Sequence, residues 1–321
     1  MISHLRQFIA WPFSPGLDIS EFMVYLMRAS SRLRSLLICG QGKRSLERAG
    51  SSATHALATG EHVCSDMRTM RLEVVDLTLI RTVLLRTPNL HSLSLLDCSD
   101  SEHASQDDIE LPMLRQLRYY GQRCAPGLAT VILRPNLRHL QRLHIIVQAI
   151  ELGLKELGPV AELPRLTHLS LHNACEQCQQ RRPGEESIEH ASQTCDCAAA
   201  IARFISICVS LRHITLDQAV AWVHMRAALE AVPRPLSSFG CRIYDGDDPE
   251  GVVDNLIIEL LSRNHRAFRG LRYLALNPQS PIISDVCALR RIKLTSQVDN
   301  LWIEVIDQVS ARRESEAGRF E

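Results

Sequence analysis

The stretch HNACEQCQQRRPGEESIEHASQTCDC contains four cysteines at metal-site spacing: Cys175 and Cys178 flank two residues, Cys195 and Cys197 flank one, and sixteen residues separate the pairs. Thiolates at these separations can surround a tetrahedral Zn²⁺. Four protein ligands leave no position for water, so a zinc here is structural, and the sequence predicts no other cofactor. The same cysteines also fit two other readings. Cys195 and Cys197 can open a helix through Ala198 to Cys208 with thiols that pack or face solvent, or the cluster can act as a redox switch. All three readings stay open.

A second set of residues is suited to binding. Arg68, Arg71, Arg115, Arg118, Arg142, His144, His168, Arg212 and His213 each follow a leucine or methionine by one, two or four positions. The guanidinium is a rigid fork of donors that matches carboxylate and phosphate. A row of them predicts a face for an acidic or phosphorylated protein partner.

Such a row needs elements that bring residues far apart in sequence side by side. In PNLHSLSLLDC the leucines stand at 90, 93 and 95, a spacing of three and then two. With n as the first apolar residue, n, n+3 and n+5 recur at Leu33/Leu36/Ile38, Met67/Met70/Leu72, Leu90/Leu93/Leu95, Leu114/Leu117/Tyr119, Leu140/Leu143/Ile145, Leu166/Leu169/Leu171, Leu211/Ile214/Leu216 and Leu271/Leu274/Leu276. Weaker copies are Leu5/Phe8/Ala10, Leu236/Phe239/Cys241 and Val298/Leu301/Ile303. Most starts lie in the mid-twenties apart, and the longest interval, 45 residues from Leu166 to Leu211, contains the cysteine cluster. This is the period of a leucine-rich repeat. The first apolar residue sits in a bend, and the next two point inward from a period-2 strand. No unit can bury its apolar face alone, but stacked neighbours can.

The sequence therefore predicts an α/β leucine-rich-repeat solenoid of about eleven irregular units. Parallel strands line its concave face and helices its convex face. One domain runs over 1–321, with an insertion loop at 176–194. A doubly wound sheet would instead show continuous Val- and Ile-rich strands. At n+8, where such repeats often keep Asn or Cys, stand Cys98 but also Gln41, Gln122, Gln148 and Gln279, a departure that predicts irregular units. Leu77, Ile80 and Leu84 define one return helix, stopped by Pro88. Asp248 and Pro249 open another, whose buried stripe is Val253, Leu256, Ile257, Leu260 and Leu261. VCALRRIKL fits the spacing at Leu289/Ile292/Leu294, but the period favours a last strand at 298, with 283–294 as its return helix.

In these units n+1, n+2 and n+4 are expected to face outward. Of the 33 such positions, nine are arginine, with Arg6, Arg34 and Arg272 joining the six above. Four are histidine, His91 joining the three above, and Asp299 is the one acid. The chain's overall basic content would place about four basic residues there. The plainer reading is solvated filler, paired with loop acids such as Asp97, Asp100, Glu102, Asp107 and Asp108.

Composition excludes several classes. Thirty-six basic residues balance 36 acidic ones and aromatics make up 5%, so the sequence predicts neither a nucleic-acid nor a membrane partner. MISHLRQFIAWPF has no apolar signal core, and Ala198 to Leu211 is too short to span a bilayer. Eleven scattered cysteines fit a reducing compartment, cytoplasmic or nuclear. ICGQGKRS lacks the earlier glycine of a P-loop and has Arg44 where Ser or Thr must follow the lysine. Neither G-x-S-x-G nor H-E-x-x-H occurs, so no enzyme is expected.

The units PNLHSLSLLDC, LPRLTHLSLHNAC, NLRHLQRLHII and FRGLRYLAL resemble the leucine-rich-repeat region of F-box proteins, especially the divergent fungal type. That resemblance implies a substrate receptor of a cullin-class ubiquitin ligase, with a cullin-ligase adaptor as partner. No Leu-Pro-x-Glu-x-Leu F-box helix precedes the repeats. The alternative class is regulation of an enzyme, such as activation of a small GTPase. If the cysteine cluster holds zinc, elemental analysis of the purified protein will find about one equivalent, lost together in Cys175→Ser and Cys178→Ser; protein free of zinc would leave the thiol readings.

Overall fold

The computed structural model describes residues 7–10, 32–39, 63–73, 75, 77–96, 98, 108–120, 126–146, 163–172, 196–217, 222–242, 252–277 and 281–295. They belong to two compact units, Met1–Leu166 and Thr167–Glu321. The first unit holds strands β1 (Gln7–Ala10), β2 (Ser35–Cys39), β3 (Thr69–Glu73), β4 (Ser92–Leu96), β5 (Gln116–Tyr120) and β6 (Arg142–Ile146). Helix α1 (Leu77–Leu84) lies between β3 and β4, and α2 (Pro126–Asn136) between β5 and β6. The second holds β7 (His168–His172), β8 (His213–Asp217), β9 (Ser238–Arg242), β10 (Tyr273–Asn277) and β11 (Lys293–Thr295). Four helices alternate with these strands: α3 (Asp196–Ile207), α4 (Trp222–Ala231), α5 (Val252–Ser262) and α6 (Pro281–Arg290). Within each unit every described pairing is parallel and joins strands consecutive in the chain. This is an α/β architecture.

The three-then-two spacing is physically explained. From β3 to β10 each strand begins at n+2, and n, n+3 and n+5 are buried. Leu90, Leu93 and Leu95 are at most 1% exposed, and the equivalent residues from Met67 to Leu276 follow them inward. In six of these units the bend before n is closed by a hydrogen bond from the N–H of n to the carbonyl at n−3, as from Leu90 to Thr87 at 3.2 Å and from Leu114 to Leu111 at 2.9 Å. The n−3 residues Cys64, Thr87, Leu111, Leu137, Leu163, Cys208 and Phe268 are buried too, a further inward column that the leucine pattern does not announce.

Register is set at n+1. The carbonyl of Arg68 accepts from the N–H groups of His91 and Ser92 at 2.8 and 3.0 Å, that of His91 from Arg115 and Gln116 at 2.9 and 3.0 Å, and that of Arg115 from Gln141 and Arg142 at 2.8 and 3.0 Å. Thr167, Arg212 and Ser237 repeat the arrangement in the second unit. One acceptor thus ties two donors of the next strand, and Leu72↔Leu95 and Leu95↔Tyr119 fall opposite one another.

The return helices agree in part with the sequence. Ile80, Val83 and Leu84 bury one side of α1, but the helix ends at Leu84, before Pro88. There Thr87 Oγ1 donates to the carbonyls of Val83 and Leu84 at 3.4 and 3.2 Å. In α5, Ile257, Leu260 and Leu261 are buried while Leu256 is only partly so; Asp248 and Pro249 lie outside the described residues.

The return helix predicted over 283–294 ends early, and a strand follows it at Lys293–Thr295; Val298, Leu301 and Ile303 lie outside the described residues. Helix α6 stops at Arg290, Arg291 adopts φ 58°, and the Ile292 N–H donates to Cys287 O at 2.9 Å while Arg291 donates to Ala288 O at 3.2 Å. This pair of bonds is a Schellman cap, and it returns the chain to the sheet early. Leu294 pairs with Leu274, so Arg291 holds the place of the first leucine and Ile292 supplies the burial. The Leu289/Ile292/Leu294 register does not hold, since Leu289 is 85% exposed and Ile292 7%. Substituting Leu289→Asp will leave the unfolding free energy from urea titration within about 0.5 kcal/mol of the parent, as exposed positions do. Ile292→Asp, which buries a carboxylate, will cost more than about 2 kcal/mol; the reverse order would refute this register.

Candidate functional site

On each strand the side chains at n+2, n+4 and n+6 share the sheet face opposite the leucines. The sequence places Arg71, Arg118, Arg142 and His144 there in the first unit, and the structure does so too. All four are half-buried. Arg142 pairs in register with Gln116, and His144 with Arg118, so the two arginines stand diagonally on neighbouring strands, about 8 Å apart at Cα from standard strand spacings.

Arg68, Arg115 and Arg212 are placed differently. They occupy n+1, in the bend before the strand, because the carbonyl there must serve the next strand. The Arg68 guanidinium donates to Ser65 O at 2.8 Å and to Met67 O and Asn89 O at 3.3 Å. Arg115 donates to Pro112 O and Leu114 O at 3.2 and 3.3 Å. These two guanidiniums are fastened to backbone. Asn89 Nδ2 extends the edge network to Ser65 O at 2.9 Å, while Arg212 is exposed.

The face also carries an acid beyond n+4. Glu73, at n+6 of β3, forms a salt bridge with Arg71. Counting outward positions only to n+4 misses it, although continuing the period-2 alternation by one step finds it. Among the described residues, Arg118 and Arg142 have no such partner. Burial lowers the Arg142 guanidinium below its ordinary value, and the charge of Arg118 lowers it further; it remains a cation at neutral pH. Two like charges thus sit half-desolvated beside each other, which favours an arriving anion.

In the second unit His168 and His213 lie opposite each other on β7 and β8. Their rings stack at 4.0 Å between centroids, 13° from parallel. His168 Nδ1 is 2.8 Å from Thr167 Oγ1, and His213 Nδ1 is 2.7 Å from Ser238 Oγ. At n+4 this outward face is covered in the second unit. Ser170 is 1% exposed, Thr215 6% and Ala275 0%, and Gly240 is buried as well. Ser238 is 2% exposed, so its hydroxyl is out of reach of a substrate despite the histidine beside it. The histidine pair is anchored within this face, and the basic character concentrates in the first unit.

Cys175, Cys178 and Cys195 lie outside the described residues. Cys197 is the second residue of α3, whose span agrees with the predicted helix, but its side chain lies outside them. No group of three or more His, Cys, Asp or Glu with metal-site geometry occurs among the described residues. Cys64, Cys98, Cys208, Cys241 and Cys287 are buried as thiols, and burial pushes those of Cys64, Cys208 and Cys287 up. They behave as small core residues. No described helix is long and apolar enough to cross a membrane. No protein-family model matches the chain, and no curated protein does.

A structural polar group gives a useful contrast. Asn136 accepts from Leu111 N–H at 2.7 Å and donates to Ile109 O and Ile132 O, each at 2.7 Å, with 1% exposure. Asn136→Ala will destabilise the fold by about 1–3 kcal/mol by stranding these groups. Arg142→Gln will leave the unfolding midpoint unchanged or raise it, because a repelled charge is removed. Chemical denaturation of both variants checks this, and a large loss for Arg142→Gln would mean that Arg142 is structural.

Proposed function

We propose that the chain is a non-enzymatic protein-interaction scaffold of the leucine-rich-repeat type, a solenoid whose concave strand face binds an acidic or phosphorylated partner. The observation that carries this reading is the Arg118–Arg142 pair. Cations in the interior usually have a carboxylate beside them, and this pair has none among the described residues. The repeat reading is supported by buried n, n+3 and n+5 positions and by strands that pair parallel to the next strand in the chain. The absence of catalytic motifs in the sequence, and the burial of Ser238 beside His213, favour binding over catalysis. The resemblance of the repeats to those of F-box proteins extends the proposal to a substrate receptor of a cullin-class ubiquitin ligase, in the cytoplasm or nucleus.

A labelled glutamate-rich peptide tests the basic face, with fluorescence anisotropy as readout. It will bind the parent in low salt, weaken as salt screens the charges, and lose at least tenfold in affinity to the Arg118→Glu/Arg142→Glu variant at an unchanged melting temperature. Equal binding by that variant would remove the proposal. Affinity purification with mass spectrometry tests the ligase role, which requires a cullin adaptor among the recovered proteins.

A further inference from the structure

Resting on that reading of the basic face, we infer that Arg118 and Arg142 form a seat for one phosphate group carried on a protein partner, rather than a track for a string of negative charges. The inference follows from where the other cations go. In the first unit Arg71 is neutralised by Glu73, and Arg68 and Arg115 are committed to carbonyls of their own bends. Arg118 and Arg142 are left on β5 and β6, and half-buried Gln116 stands in register with Arg142. A polyanion such as a nucleic acid gains affinity by neutralising many phosphates in succession, and among the described residues this face of the first unit has a single uncompensated pair.

The choice of phosphate over carboxylate rests on valence and shape. One guanidinium fork matches the two oxygens of a carboxylate, whose single charge leaves the second arginine uncompensated. A phosphate monoester presents three oxygens and a charge of about −1.5 to −2 at neutral pH. It can accept from two forks at once and offset both charges. The roughly 8 Å between the Cα atoms, set by strand spacing, lets two extended arginine side chains converge on one tetrahedral group. Burial that lowers the Arg142 guanidinium also strengthens its attraction for that group, because the local dielectric is reduced.

NMR of the arginine Nε–Hε resonances tests the inference on the full chain. Titration with O-phosphoserine will shift the signals of Arg118 and Arg142, with smaller changes at the exposed Arg34, Arg212 and Arg272. Acetate at the same ionic strength will shift them at least tenfold less. Arg142→Lys keeps the charge but loses the fork, and will weaken O-phosphoserine binding at least tenfold while retaining binding of the glutamate-rich peptide. Equal responses to acetate and O-phosphoserine, equal shifts at the exposed arginines, or unchanged phosphoserine affinity in Arg142→Lys would each overturn the seat. A single-stranded oligonucleotide that binds with a salt slope of several phosphates would overturn it in favour of a track. The two levels fail separately. Arginine-dependent binding of the glutamate-rich peptide without a phosphoserine preference removes the seat and keeps the basic-face reading, whereas loss of both ligands removes both.

Discussion

The fold depends on one shared acceptor per strand. The carbonyl at n+1 takes hydrogen bonds from two successive N–H groups of the next strand, and so dictates which residue stands opposite which. A slip of one residue would send every leucine to the wrong face. With register held, Leu93, Leu117 and Leu143 stack in one interior row and Leu95, Tyr119 and Ile145 in the next. Full burial of each such side chain contributes about 1.5–3 kcal/mol, and burial depends on strands that flank it on both sides. Sequence spacing, hydrogen bonding and core packing are therefore consequences of one arrangement.

That arrangement also decides what the opposite face can do. Residues at n+1 are bound to the bend, so arginine there is drawn to nearby carbonyls, as at Arg68 and Arg115. Residues at n+2 and n+4 alternate onto the open face, and their charges meet only diagonal and cross-strand neighbours. Where an acid follows at n+6, as Glu73 does, the charge is cancelled. On β5 and β6 no acid cancels it among the described residues, and a half-buried pair of like charges remains beside Gln116 and His144. The second unit uses the equivalent positions differently, with stacked histidines, a buried serine and small residues at n+4.

Much of this was legible in the sequence because burial at n, n+3 and n+5 demands apolar residues regardless of what surrounds them. Leu90, Leu93 and Leu95 declared a bend and a strand, and Phe239 and Cys241 did so even in a weak copy. The n−3 column was not legible, since Cys64, Thr87 and Leu137 share burial but no residue type. The strand Lys293–Thr295 reads as helix in the sequence because a cap can end a helix early: Arg291 at φ 58° carries no signature that distinguishes it from an ordinary helix residue. In the candidate site, Arg118, Arg142 and His144 were identifiable from strand alternation. The separate fates of Arg68, Arg71 and Arg115 were not, because they depend on which carbonyl or carboxylate lies within reach in three dimensions. The cysteine cluster at Cys175, Cys178, Cys195 and Cys197 remains a proposal from spacing alone.

Native-state hydrogen exchange in a Leu93→Ala variant tests the central claim most directly. If strands support one another through shared interior rows and n+1 acceptors, removing the side chain from β4 will lower amide protection in β3 and β5 as well as in β4. Protection lost only within β4, with Met70, Leu117 and their neighbours unaffected, would show strands that stand independently and would contradict the account.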